Sequence, residues 1–327
     1  MVLSECKLTM ITPPSLAKNL YTSKARFVFE LLQNAEDNAY SAAQAAGDDP
    51  FVSFRLYQDR LVVDCNEDGF TEANLTAICD VGRSSKATSQ GYIGEKGIGF
   101  KSVFMTAWKV HIQSGYLSFK FVHRKGDSGM GMVTPQWTEP EDTLPQLRHT
   151  CITLFLHEGG NVGKKAARRN REDICAQLRG LEPAFLLFVS KLKKIEVVLH
   201  DSEGQQEWAT RLSRKQAGEA VGGGCVVLER RVTDTESLDD VEPERHIYHV
   251  VEHIATGVAK HDNRELTAEE NANPATSQSK IVLAFPLSED LVPIIEPQKV
   301  FAFMPMRQMG FNVSGELNPL LAMVSSG

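Results

Sequence analysis

Three short segments carry residue types whose spacing could support chemistry. In the first, Glu30, Asn34 and Asp37 recur four and then three residues apart, which at about 100° per helical residue places them within roughly 60° of one another. A carboxylate and an amide one turn apart can orient a water as general base and give an oxygen to a hard cation such as magnesium. A face turned to solvent is the plain alternative, although no Lys or Arg follows Arg26 in this stretch to make a mixed surface. In the second, Asp64-Cys65-Asn66-Glu67-Asp68-Gly69-Phe70, a carboxylate can accept a hydrogen bond from an exocyclic amine, and Gly69 lets backbone approach a ring closely; an ordinary turn is the alternative. The third, Gly91 to Ser102, has glycines at 94, 97 and 99 opening a helix, an arrangement that presents backbone amides to phosphate oxygens, with Lys86, Lys96 or Lys101 adding charge. It is not a P-loop, because Phe100 stands where Lys is required, and it lacks the strand and the third glycine of a dinucleotide fingerprint.

The elements that must position these residues follow from periodicity. Residues 22 to 46 read as one long helix without internal Gly or Pro, ending at Gly47 and Pro50, with Val28, Leu31, Leu32, Ala35 and Ala39 opposite the polar face. A hairpin of Phe51 to Tyr57 and Arg60 to Cys65 follows, then a helix start capped by Thr71 and a long loop over 82 to 99. A helix is expected from Ile98, then strands at Trp108 to Ser114, Leu117 to His123 and Cys151 to Leu156, with 124 to 149 as an exposed insertion. Helix, hairpin, helix, loop, helix and strands predict an α+β sandwich with helices on one face of a mixed sheet over residues 1–160. Over 161–327 a basic helix, Lys164 to Arg179, an apolar helix around Ala184 to Leu192 and several strands predict a second α/β domain, or a partial one.

Composition narrows the classes. The chain has 327 residues, 42% hydrophobic and 24% charged, which fits a folded globular protein. A net charge of −7 gives no general attraction to nucleic acid or anionic membrane; the basic run Lys164 to Arg171 reads as a solvated helix face. No apolar run is long enough to span a bilayer and no secretory leader is visible, so an intracellular, cytoplasmic or nuclear, protein is expected. Six scattered cysteines suggest neither a zinc site nor a disulfide framework.

Taken together, the three segments resemble the nucleotide-binding motifs of the GHKL ATPases, the superfamily of DNA gyrase, the ninety-kilodalton heat-shock chaperone, histidine kinases and MutL. Glu30-x-x-x-Asn34-Ala35-x-Asp37 resembles the N-box, Asp64 to Phe70 the G1 box and Gly94-x-x-Gly97-x-Gly99-Phe100 the G2 box, in the same order and at similar spacing. Cys79 to Lys86 and Gly94 to Phe104 are most like the sacsin and NO VEIN branch. The resemblance implies a Bergerat-type α/β sandwich followed by a transducer-like domain, with ATP and Mg2+ as ligands. It implies Glu30 as general base, Asn34 as magnesium ligand and Asp37 and Asn38 beside the nucleotide. Gly94, Lys96, Gly97, Ile98, Gly99 and Phe100, with Lys86, would wrap the phosphates as a lid, and Thr150 would lie near adenine with Gly69 and Phe70. The G1 box departs from Asp-x-Gly-x-Gly: Glu67 fills the first Gly position, and the adenine reader is Asp64 with one insertion, Cys65 without one, or Asn66. Lys191, Lys193 and Lys194 are candidates for the basic residue that reaches the γ-phosphate. The expected function is magnesium-dependent ATP hydrolysis coupled to lid closure, in a chaperone-like or remodelling role with a protein client and possible homodimerisation. The alternative is a nucleotide-gated interaction module with negligible turnover.

Overall fold

The helix predicted over residues 22 to 46 is two helices in the computed structural model, which describes residues 27–79, 100–124, 134–140, 150–157, 163–216, 224–234, 242–256, 278–295, 298–302, 304–309 and 320–324. Helix α1 covers Phe27–Asp37 and α2 covers Ser41–Ala46. The break at 38–40 has identifiable causes. The Asn38 N–H turns back to the Ala35 carbonyl at 3.3 Å, the Tyr40 hydroxyl donates to the same carbonyl at 2.7 Å, and the first N–H groups of α2 are taken by Asp68 from outside the helix. Helix α2 ends as predicted at Gly47, whose φ of 78° is the left-handed geometry that glycine adopts without a Cβ penalty.

The hairpin forms as β1 (Phe51–Leu56) and β2 (Arg60–Cys65), and α3 (Glu72–Cys79) starts at Thr71, whose Oγ1 accepts the Asn74 N–H. The helix expected from Ile98 is, among the described residues, a short 3-10 turn, Phe100–Met105. Strands β3 (Ala107–Ser114), β4 (Leu117–Val122), β5 (Gln136–Trp137) and β6 (Thr150–Leu156) follow, then α4 (Lys164–Arg179). The apolar helix expected at Ala184 to Leu192 is a 3-10 turn, Pro183–Leu187, with Pro at its start. Strands β7 (Lys194–His200), β8 (Gln206–Gln216), β9 (Cys225–Asp234), β10 (Glu244–Thr256) and β11 (Gln278–Leu287) come next, followed by β12 (Gln298–Ala302), β13 (Met304–Met309) and β14 (Leu320–Val324).

The architecture corrects the sequence-based fold. A Bergerat-type sandwich of helices on one sheet face, followed by a second α/β unit, is not what forms. Among the described residues, all fourteen strands belong to one mixed sheet, in the order β13-β12-β14-β11-β10-β9-β8-β7-β1-β2-β6-β3-β4-β5, accompanied by four α-helices. The decisive contact is the parallel pairing of β1 with β7, from Phe51 opposite Lys194 to Leu56 opposite Leu199. Val52, Phe54 and Leu56 thereby lie in register with Ile195, Val197 and Leu199, all six buried, so one apolar row crosses the join. Separate sheets would have left two unpaired strand edges, which pairing removes.

The two faces of the central strands differ in chemistry. Phe54, Val63, Ile112 and Leu154 lie on one face, within the main apolar core. The alternate residues Ser53, Asp64, Gln113, His111 and Thr153 are polar and also buried. Asp64 is ion-paired to Arg55 at 2.7 Å and His111 lies 3.0 Å from Ser118, whereas Gln113 Nε2 on the same face is buried without a hydrogen-bond partner.

Candidate functional site

Helix α1 buries Phe27, Val28, Leu31, Leu32 and Ala35, as its periodicity requires. Glu30 and Asn34 are half-buried, and Asp37 is 4% exposed, so the polar stripe is not a solvated face at its C-terminal end. Asn38 is half-buried just past the helix.

Each acidic or amide residue at the end of β2 has a defined partner. Asp64 points to the polar sheet face, where Arg55 Nη2 donates to its Oδ2 at 2.7 Å. Cys65 points the other way, its thiol 3.0 Å from the Tyr40 hydroxyl; burial pushes both groups well above their usual titration range, and the nearby Glu67 charge adds to the effect. Asn66 Oδ1 accepts the Phe51 N–H at 2.8 Å, and its Nδ2 donates to the Asp49 carbonyl at 3.0 Å. Glu67 is 3% exposed. Asp68 caps α2 through Ser41 N–H at 2.9 Å and Ala42 N–H at 2.8 Å; desolvation raises its carboxyl, but these donors outweigh it and hold the group below its ordinary value.

The strands bring part of the expected set together. Cys65 on β2 is the register partner of Thr150 on β6, which is in turn opposite Ser114 on β3. The Ser114 and Thr150 hydroxyls are 2.7 Å apart, and Ser114 Oγ accepts the Phe70 N–H at 2.7 Å. Gly69 makes this approach possible: its φ is 97°, and a Cβ there would stand 3.1 Å from Ser114 Oγ. Phe70 packs on Phe119, and Phe100 lies against the same core. Lys86, Gly94, Lys96, Gly97, Ile98 and Gly99 lie outside the described residues.

The fit to a nucleotide divides along the site. Asn34 offers one half-buried amide oxygen, which suits magnesium, a cation that keeps waters and phosphate oxygens as its main ligands. Among the described residues, no group of three or more His, Cys, Asp or Glu could hold a metal ion alone. At the base end, the three residues considered as adenine readers are engaged: Asp64 by Arg55, Cys65 by Tyr40 and Asn66 by backbone.

No family model matches the chain. It is similar to Protein NO VEIN of Arabidopsis thaliana. The two are 36% identical over 203 residues, a stretch that makes up 57% of this chain and 7% of that protein. The similarity to NO VEIN bears on the narrower of the two resemblances in the sequence and leaves the GHKL resemblance resting on the motifs. No helix among the described residues is long and apolar enough to cross a membrane.

Sequence reasoning missed Glu36 and left the role of Lys191 open. Glu36, 5% exposed, accepts the backbone N–H groups of Ser190 at 2.6 Å, Lys191 at 3.0 Å and Leu192 at 3.0 Å. Burial raises its carboxyl above the usual value despite those donors and the Lys191 charge. Lys191, considered for the γ-phosphate, donates instead to the carbonyls of Asp37 at 3.1 Å and Asn38 at 2.7 Å. Lys194 is ion-paired to Asp49 at 3.0 Å, and Lys193 is lowered by burial and by Arg214. A carboxylate inside an apolar helix stripe was the available signal for Glu36; its partners lie 154 to 156 residues away, beyond any local pattern.

Proposed function

We propose that the chain binds ATP with magnesium through the three motif segments and hydrolyses it to ADP and phosphate. The observation that carries this reading is convergence: α1 presents Glu30, Asn34 and buried Asp37 on one stripe, and it breaks beside the β2 end where Cys65, Phe70, Ser114 and Thr150 meet. Tyr40, at the α1–α2 break, links the helix that carries the N-box resemblance to Cys65 of the G1 resemblance, and Thr150 pairs with Ser114 on the neighbouring strands, which supports this reading. In this reading the Glu30 carboxylate removes a proton from the water that attacks the γ-phosphorus. Magnesium, when bound, neutralises phosphate charge, and the Asn34 amide oxygen contributes one ligand to it. Asp37 orients groups at the nucleotide, and the glycine-rich segment supplies backbone amides to the phosphates. The GHKL superfamily is the relationship this reading assumes, and coupling of closure to a protein client is its biological corollary.

A second reading, a nucleotide-gated interaction module with negligible turnover, is favoured by one specific observation: the three residues expected to read the base are committed to other partners. One experiment separates the two. Calorimetric titration with ATP, ADP and GTP, with and without magnesium, is paired with phosphate release by the wild type and by Glu30→Ala. Hydrolysis predicts magnesium-enhanced ATP binding that survives Glu30→Ala while multiple turnover disappears. Binding without turnover in the wild type selects the gated module, and no binding to any nucleotide overturns both.

A further inference from the structure

Segment 186–192 is hydrogen-bonded on two sides. Toward α1, the Glu36 carboxylate takes the N–H groups of Ser190, Lys191 and Leu192, and the Lys191 ammonium reaches back to the Asp37 and Asn38 carbonyls at 3.1 and 2.7 Å. Toward the sheet, Arg214 Nη1 on β8 donates to the Leu186 carbonyl at 3.2 Å and the Val189 carbonyl at 2.9 Å.

The chemistry of the two sides is complementary. Lys191 places a cation on carbonyls at the negative end of the α1 dipole, one of which is that of Asp37 itself. Three N–H groups on one carboxylate form a charge-assisted cluster with little room to shift. Arg214 is held in a largely desolvated position, and the Glu36 and Glu252 charges both support its protonated form, so the α1 and β8 sides also interact electrostatically.

We infer that Glu36, Lys191 and Arg214 are positioning residues that couple the β8 side of the sheet to the stripe bearing Asn34 and Asp37, with segment 186–192 as the coupling piece. For its consequence at the nucleotide, this inference rests on the reading proposed above. A displacement of β8 is transmitted through the Leu186 and Val189 carbonyls to the backbone that Glu36 grips, and so to the last turn of α1. The β1–β7 pairing keeps the intervening sheet continuous, and the 186–192 segment adds a hydrogen-bonded connection on the helix side, reinforced by the Arg214 N–H donating to the Lys193 carbonyl at 2.9 Å.

The test compares the full chain with Lys191→Met, Lys191→Arg and Arg214→Met by amide hydrogen exchange, followed by titration with Mg-ATP. Lys191→Met should speed exchange over residues 35–42 by about tenfold or more, the scale of one lost charge-assisted hydrogen bond. Amides of β3 and β6 should keep their protection, and Lys191→Arg should restore most of the effect. Arg214→Met should raise exchange in that same α1 region, a response that a purely local role on β8 does not produce. Mg-ATP should bind Lys191→Met about tenfold more weakly than the wild type, the same scale of loss. Unchanged exchange at 35–42 overturns the inference, and so does protection lost equally in β3 and β6, because that is a general folding effect. Equal Mg-ATP affinity in wild type and Lys191→Met overturns the consequence at the nucleotide. A wild type that binds no nucleotide overturns the functional reading alone, and the exchange data still decide the coupling.

Discussion

The Tyr40 hydroxyl lies 2.7 Å from the Ala35 carbonyl and 3.0 Å from the Cys65 thiol, tying the end of α1 to the end of β2. One side chain thus joins the motif on the helix to the motif on the sheet. It is 2% exposed, so water cannot replace its bonds. Tyr40→Phe should lower stability by about 1–2 kcal/mol, the cost of a buried hydrogen bond whose acceptor is left behind. Urea denaturation would read this as a lower midpoint at unchanged slope; a midpoint equal to wild type would remove Tyr40 from this role.

Asn34→Ala addresses the magnesium side. If its amide oxygen is a ligand, the variant should bind ATP with an affinity that no longer responds strongly to magnesium. A wild-type magnesium response in Asn34→Ala would exclude that role.

At Gly69, substitution is penalised twice. The φ of 97° disfavours any L side chain, and the Cβ of alanine would meet Ser114 Oγ at 3.1 Å. Gly69→Ala should cost about 1–2 kcal/mol from the backbone alone, and displacement of Ser114 should also weaken its bond to the Phe70 N–H. Thermal melts of Gly69→Ala beside Gly115→Ala are informative, since Gly115 also has positive φ, 57°, but nothing within 4 Å of a Cβ. Equal losses in the two would dismiss the Ser114 contact as a factor.

Asp68 should matter through a helix end rather than through a ligand. Asp68→Ala removes the acceptor for the Ser41 and Ala42 N–H groups and should cost about 1 kcal/mol, the usual scale of a lost cap. Its carboxyl is held below the ordinary 3.8, so the stabilisation is present above that pH and is lost as pH falls through the folded-state value. The difference between wild type and Asp68→Ala should therefore shrink in strong acid; a constant difference down to low pH would contradict the assignment.

His200 gives a second acid-side signature. It stacks on Tyr57 with ring centroids 4.1 Å apart, and burial, with help from the Arg55 and Arg60 charges, lowers it below its ordinary 6.5. The folded state then binds fewer protons than the unfolded chain, so this contribution is full above pH 6.5 and falls away as pH drops through the lowered value. Thermal midpoints should decline over that range in the wild type and less steeply in His200→Gln. Parallel profiles would rule the residue out as the source.

How much of this was legible beforehand depended on the range of the forces involved. Strand β2 and helix α4 form over the predicted residues, Arg60 to Cys65 and Lys164 to Arg179, because alternation and helical spacing are local signals. The break after Asp37 was hidden: every residue from 38 to 40 is compatible with helix, and it is Asp68, Tyr40 and Lys191 that stabilise the alternative. The stripe of Glu30, Asn34 and Asp37 could be read from spacing, whereas its clamp by Glu36 and Lys191 could not, since the partners come from opposite sides of the sheet's parallel join. That join defeated the fold expectation for the same reason. Nothing local in Phe51–Leu56 or Lys194–His200 says that they will lie side by side.

The parallel join also governs how the molecule can be divided. A fragment ending near residue 160 would retain β1 but lose β7, leaving the backbone donors and acceptors along Phe51–Leu56 open beside the buried row of Val52, Phe54 and Leu56. Such a strand is a template for another copy of itself. Separating β1 from β7 would therefore expose an edge that favours self-association, and because β7 is itself paired with β8, a cut after His200 would open the next edge in the same way.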